Sequence, residues 1–296
     1  MARMGTIATR VEQLLGQSVV ATVAVPGGDI CTATRVRLSD GSSVLVKTRP
    51  HCPPGFFAAE ADGLRWLGEA TAVGGLPVPK VHAVTVDCLI LSWVEPGRPP
   101  VEAAERFGRQ LAATHAAGAA TFGHADAAAT WIGMAPLPQE PADTWAEFYA
   151  VSRVEPYLRT AHDRGRISSA DVASVREVLQ RLPDLAGPAE PPARLHGDLW
   201  SGNVVWSADG QGHVVDPAAH GGHREADLAM LALFGVPRLD RVLISYDQAS
   251  PLADGWRDRV QLHQLHPLLV HAAKFGGTYG ARAGQAARAA LQPAHR

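Results

Sequence analysis

The spacing of apolar positions changes once along the chain, near residue 95. Before that point apolar residues come in short β-branched runs, and after it they recur every three or four positions. MARMGTIATRVEQLLG reads as a short amphipathic helix. SVVATVAVPGGDICTATRVRLSDGSSVLVKTRP then reads as strand, glycine turn, strand, Asp-Gly turn, strand, with Gly27-Gly28 and Asp40-Gly41 at the reversals. FFAAEADGLRWLGEA is a helix with Phe57, Leu64 and Leu67 on its apolar face. VPKVHAVTVDCLILSWVEPG supplies two more strands, and the apolar run from Cys88 to Val94 predicts a strand that is central or well covered. Glu95-Pro96-Gly97-Arg98-Pro99-Pro100 is the strongest break in the chain. A strand-rich N-terminal unit over 1–95 and a helical unit over 96–296 are expected on either side of it.

Helices dominate from Val101. VEAAERFGRQLAATHAAGAA carries Phe107, Leu111 and His115 on one face, and His115 reads as a packed or capping histidine. The loop TFGHADAAATWIGMAPLPQEPA precedes a single expected helix, DTWAEFYAVSRVEPYLRTAHDRG. SSADVASVREVLQRL spaces Val172, Val175, Leu179 and Leu182 at helical intervals. Near the C-terminus His263, His266 and His271 share a helical stretch, with no Cys or carboxylate in it to complete a zinc-like set.

Composition narrows the class. Of 296 residues, 46% are hydrophobic and 19% charged, as in an ordinary globular protein. The formal charge of −2 lacks the basic surplus of a nucleic-acid binder. The N-terminus lacks a signal-peptide core, and the longest apolar run, VDCLILSWV, is strand-sized. Cys31, Cys52 and Cys88 form no even disulfide framework, so a cytoplasmic protein without membrane attachment is expected.

The chemistry concentrates in LHGDLWSGNVVWSADGQGHVVD, Leu195 to Asp216. VVW and HVV are short β-branched runs around an Asp-Gly turn, so the segment is a loop followed by a hairpin. A hairpin returns to its origin, which gathers Asp198, Asn203 and Asp216 at one end. Two carboxylates and an amide oxygen repel one another without a cation, and hard oxygen ligands suit Mg²⁺ beside phosphates. His196-x-Asp198 with Asn203 five residues on, then Asp216, repeats the catalytic-loop and metal-ligand order of kinases. Lys47 on a strand and Glu60 on the next helix would orient phosphates, Gly27-Gly28 would let backbone N–H groups cover them, and the break at Glu95 would meet an adenine edge. Trp200, beside the catalytic loop, is a candidate to stack on the acceptor.

The chain resembles the fructosamine-3-kinase family (ketosamine or ribulosamine kinases) of the protein-kinase-like superfamily. The matching stretches are LHGDLWSGN, VDPAAHGGHREADLAML, FGHADAAATWIG, DTWAEFYAVSR and HQLHPLLVHAAKFGG. The resemblance implies an α+β, two-lobed kinase-like fold with ATP and Mg²⁺. It implies phosphorylation of the 3-hydroxyl of ketosamines, free or protein-bound, which reverses early glycation. Asp198 would be the base, Asn203 and Asp216 the metal ligands, and Lys47 with Glu60 the phosphate-orienting pair. Asp216-Pro217-Ala218 replaces the Asp-Phe-Gly of protein kinases, so no phenylalanine-driven switch is expected. Where some relatives carry a cysteine after Gly-Gly this chain has Asp29, with Cys31 two residues on. An aminoglycoside- or choline-type acceptor is the alternative, which Asp126, Glu140, Asp143 and Glu147 would serve. A pseudokinase would be expected to lack Lys47, Asp198 or Asp216. Oligomeric state stays open.

Overall fold

The computed structural model describes residues 6–26, 30–124 and 130–292; Gly27, Gly28, Asp29 and Asp126 lie outside the described residues. Helix α1 (Ile7–Leu15) leads into strands β1 (Val19–Val25), β2 (Thr32–Leu38) and β3 (Ser43–Thr48). Helix α2 (Phe56–Glu69) and a 3₁₀ turn (Ala70–Val73) precede β4 (Val81–Thr85) and β5 (Cys88–Ser92). The strands form one antiparallel sheet in the order β1-β2-β3-β5-β4. β5 therefore lies inside the sheet, and its period-two alternation serves both faces. Cys88 and Ile90 join Val11 of α1 with Val36, Val44 and Val46 in one core, while Leu89 and Leu91 pack on Phe57, Ala61 and Leu64 of α2 in another. By the same alternation Lys47 leaves the Val44/Val46 face and lies buried on the α2 side.

The helical part begins with α3 (Val101–Ala116). A two-residue hairpin, β6 (Trp131–Ile132) and β7 (Ala135–Pro136), lies within what the sequence reads as plain loop. The single helix expected from DTWAEFYAVSRVEPYLRTAHDRG is interrupted. It runs as α4 (Trp145–Phe148), a π turn (Tyr149–Val154) and α5 (Glu155–Asp163). Pro156 supplies no N–H for an i→i−4 bond, and the wider turn absorbs the gap. Helices α6 (Ser169–Gln180) and α7 (Leu182–Leu185) follow, then β8 (Ala193–Leu195). A 3₁₀ turn (Ser201–Asn203) leads into the expected hairpin, β9 (Val204–Trp206) and β10 (Gly212–Val214). β11 (His220–Gly222) returns to pair with β8, so two further short strands clamp the catalytic segment at its base. Helices α8 (Glu225–Phe234), α9 (Leu239–Ala249), α10 (Trp256–Phe275) and α11 (Tyr279–Ala290) complete the chain. Among the described residues, no helix is long and apolar enough to cross a membrane.

The two regions meet around the break. Gly97 N–H donates to the Trp206 carbonyl at 2.7 Å, and Pro96 bridges Ser207. Gly63 of α2 comes so close to Ala219 and Pro217 that a methyl group there would sit 3.2 Å from the Ala219 Cβ. The segment after Asp216 is thereby held against the helix that carries Glu60.

Candidate active site

The alternation of β3 and the helical period of α2 bring Lys47 and Glu60 together. Lys47 Nζ lies 2.7 and 2.8 Å from the two carboxylate oxygens of Glu60, and 2.6 Å from Asp216 Oδ1. One ammonium thus serves two carboxylates from different parts of the chain. Burial pulls the Lys47 charge down, but Glu60 and Asp216 more than offset this and its pKa is raised. The two acids divide the benefit unequally. Burial pushes Glu60 up to about 7, whereas Lys47 outweighs burial at Asp216 and holds it below the usual carboxylate range. Asp216 has φ +54°, a left-handed conformation that a non-glycine residue adopts at a cost and that is concentrated at functional sites.

The catalytic loop is braced from below. Asp227, at the start of α8, accepts the His196 N–H at 2.8 Å and the Gly197 N–H at 2.9 Å, and receives His115 Nε2 at 3.2 Å. His115 Nδ1 meets the Tyr246 hydroxyl at 2.8 Å, which ties α3 and α9 to the same carboxylate. Burial would raise Asp227, but its donors win and its pKa is lowered. His196 is buried and held neutral. Its Nε2 donates to the Val215 carbonyl at 2.9 Å and its Nδ1 accepts the Asp198 N–H at 3.2 Å. A histidine so engaged fixes loop shape and is not poised for proton transfer. Gly197 has φ +80°, and a Cβ there would run into the Ala218 carbonyl, so the sharp turn before Asp198 requires glycine.

Asp198 is half-buried. Burial pushes its carboxyl up to about 7, with Asn203 and Lys274 opposing and Asp216 adding to the rise. Asn203 Nδ2 donates to the Asp198 carbonyl oxygen at 2.8 Å and to Oδ2 at 3.2 Å. This leaves the Asn203 Oδ1 without a protein donor among the described residues. Glu60 and Asp216 thus share the single Lys47 ammonium, Asp198 lies close enough to Asp216 for the two charges to repel, and a further amide oxygen is free. That excess of hard anionic oxygen fits a divalent cation such as Mg²⁺, for which Asn203 and Asp216 are the available donors.

Other expected residues sit differently. The Glu95 carbonyl accepts the Ala208 N–H, and its carboxylate takes Trp93 Nε1 at 2.9 Å and Arg35 at 2.8 Å. Among the described residues, only its N–H is left open to an adenine edge. Trp200 is 39% exposed and leans edge-on to Phe234 at 6.4 Å, while Gly202 leaves room for its indole. Glu140, Asp143 and Glu147 are exposed and form no ion pair among the described residues. Cys31 is half-buried with its thiol pushed up to about 11 by burial, which suits an unreactive thiol.

The histidine stretch of α10 acquires a carboxylate from outside its own sequence. Glu225 Oε2 comes within 3.3 Å of His263 Nε2, with His223 beside them. Arg259 also grips both Glu225 oxygens, at 2.6 and 2.9 Å, so this carboxylate is neutralised by a guanidinium and the group is a buried ion-pair network. Asp227, ahead of an apolar helix, reads from the sequence as a cap of that helix or a brace for the catalytic loop, and the structure gives the brace, whereas the lysine at 274 is not singled out by spacing as part of the site. The kinase-like order of HGD and Asn marks neither.

Comparison with known proteins agrees with this architecture. The family Fructosamine kinase matches residues 3–293. A Thermus thermophilus protein described as a probable ketoamine kinase is 36% identical over 86% of this chain and 87% of its own. The chloroplastic protein-ribulosamine 3-kinase of Arabidopsis thaliana is 30% identical over 86% of this chain and 78% of its own. A crystal structure assigned as a fructosamine-3-kinase, from Thermobifida fusca, superposes with a TM-score of 0.91 at 50% identity, covering 97% of this chain and 98% of its own. The two-lobed, protein-kinase-like α+β chain belongs to the fructosamine kinase family.

Proposed function

We propose that this protein is an ATP-dependent ketosamine 3-kinase, transferring the terminal phosphoryl group to the 3-hydroxyl of a sugar-derived ketosamine. The observation that carries the reading is the convergence of Lys47, Glu60 and Asp216 across the two lobes, beside Asp198 and Asn203, in a chain of this family. Lys47, aligned by Glu60, would bind the nucleotide phosphates. Gly27 and Gly28 would cover them with backbone N–H groups, and Glu95 would offer its N–H to adenine. Asn203 and Asp216 would hold Mg²⁺, which when bound spreads the negative charge of the phosphates. Asp198 orients the acceptor hydroxyl and takes its proton, and the Asp227 brace keeps that carboxylate in place. Trp200 offers an aromatic face to the acceptor. The division at residues 95 and 96 belongs to the same reading, with the nucleotide lobe over 1–95 and the acceptor lobe over 96–296. A cytoplasmic enzyme is the setting that fits a supply of ATP.

The acceptor side argues against a polycation. Lys274 lies close enough to bear on the Asp198 charge, and a cation beside the catalytic base repels a second one carried by the acceptor. An ADP-release assay over ribulose-lysine, fructose-lysine, choline and an aminoglycoside tests the proposal. Turnover with the two ketosamines, yielding a 3-phosphate, is expected, with background release for the others. Preference for choline or the aminoglycoside would move the function to another alcohol acceptor, and nucleotide binding without stimulation by any alcohol would refute catalysis.

A further inference from the structure

The catalytic loop and the end of α10 are joined by a ridge of rings. Trp200 meets Phe234 at 6.4 Å, Phe234 meets His271 at 4.8 Å, and His271 meets Phe275 at 5.5 Å. Phe275 is 58% exposed and Trp200 39%, so large apolar faces stay open to solvent at both ends of the ridge. Lys274, in the last turn of α10, lies along it with Nζ 4.8 Å from the centre of the Phe275 ring. The same ammonium approaches the β6–β7 hairpin so closely that a Cβ on Gly133 would sit 2.7 Å from it. Ile30, the residue before Cys31, borders the same point at 3.3 Å.

Lys274 is half-buried, and among the described residues it forms no ion pair or hydrogen bond. Lys47, Arg224 and Arg259 are each paired with a glutamate, Glu60, Glu190 and Glu225, whereas Lys274, like Arg282 one turn into α11, has only an aromatic ring for a partner among the described residues. An ammonium that stays open to solvent and holds no protein partner is available to pair with an anionic group of a ligand. The dipole of α10 favours a lysine in its last turn. It does not account for an ammonium directed along the aromatic ridge to the meeting point of the hairpin, Ile30 and the catalytic base.

We propose that Lys274 is a specificity-determining residue that pairs with a carboxylate of the acceptor, so that the enzyme favours ketosamines built on the α-amine of an amino acid. This rests on the ketosamine reading of the cleft. In an α-amine adduct the carboxylate is one carbon from the glycated nitrogen, and therefore stays near the sugar whose hydroxyl reacts at Asp198. In an adduct on a lysine side chain the carboxylate lies a full side chain away. The ridge would carry the amino acid's own side chain, and Lys274 would read its acid group.

The test compares two acceptors that differ only in that group, the ribulose adducts of glycine and of methylamine, with the wild type, Lys274→Met and Lys274→Arg. Methionine keeps the apolar stem along Phe275 and removes the charge. The expected result is a lower KM for the glycine adduct in the wild type. Lys274→Met should raise that KM by roughly 10–100-fold, the range for a hydrogen bond to a charged group, and leave the KM of the methylamine adduct unchanged, with both read at pH 9, where Asp198 is ionised and the loss of the neighbouring charge weighs least on the base. Lys274→Arg should keep the preference, and thermal melting of both variants should match the wild type. An equal loss with both adducts would place the charge on the transferring phosphoryl group and overturn the inference. No change with either would overturn it as well. If the wild type releases ADP with neither adduct, the ketosamine reading itself fails together with this one. Turnover of both adducts with equal KM sinks the inference alone.

Discussion

Replacing Lys47 by methionine separates structural from catalytic roles at the lobe junction. The side chains of Lys47 and Glu60 are each 10% exposed, so the substitution strands a buried carboxylate beside Asp216. Removing one partner of such a pair costs about 3–5 kcal/mol, which for a chain of this size lowers the melting temperature by about 5–8 °C. The pH dependence follows from Glu60. Its folded pKa is raised to about 7, so its contribution to stability is present below its unfolded value and is lost as pH rises through 7, then levels off. Without Lys47 the acid rises further and the loss continues past pH 7, by up to about 1.4 kcal/mol per pH unit. The deficit of Lys47→Met relative to the wild type should therefore widen above neutrality. Adding Glu60→Gln removes the stranded charge and should recover most of the stability. Phosphoryl transfer should stay down by orders of magnitude in both variants, because the lysine ammonium aimed at the phosphates is gone. Melting curves from pH 6 to 9 and ADP release measure the two effects. A double variant that regains turnover, or a single variant whose deficit does not grow with pH, would refute the reasoning.

Asp198→Asn keeps shape and one acceptor oxygen but cannot take a proton. Nucleotide binding should survive, while turnover falls by roughly 10²–10⁴-fold. In the wild type, kcat/KM should fall as pH drops through about 7, because the base must be ionised; a flat profile from pH 6 to 8 would remove Asp198 from that role. Asp216→Ala should abolish Mg²⁺-dependent nucleotide binding, read by calorimetry with and without the metal, and unchanged affinity would discard the metal assignment. Asp227→Asn leaves one oxygen for the three donors that the carboxylate serves. It should cost roughly 3 kcal/mol of stability and lower kcat with little effect on nucleotide affinity; an equal rise in nucleotide KM would contradict a brace confined to the catalytic loop.

Much of this molecule is written in local pattern. The five strands of the sheet, the break at Glu95 and the hairpin between Asn203 and Asp216 follow from alternation, turn residues and apolar runs, because each depends on neighbours a few positions away. The burial of Cys88 to Leu91 on both faces was legible for the same reason. Spacing alone also suggested that Asp198, Asn203 and Asp216 share one end of a hairpin. Local pattern could not show that Pro156 is accommodated by a π turn, since its missing N–H could equally have ended the helix. Nor could it pair β8 with β11, three residues each with the whole catalytic segment between them. Long-range electrostatics were the least accessible. Lys47 and Asp216 are 169 positions apart, His115 and Asp227 are 112 apart, and Glu225 reaches Arg259 across 34. A charge reveals its type in the sequence, but its partner is set by which buried surfaces close over both. The sequence left Asp227 as either a helix cap or a brace for the loop, and the packing of α3, α8, α9 and α10 decided for the brace and set Lys274 beside the loop with no ion pair among the described residues.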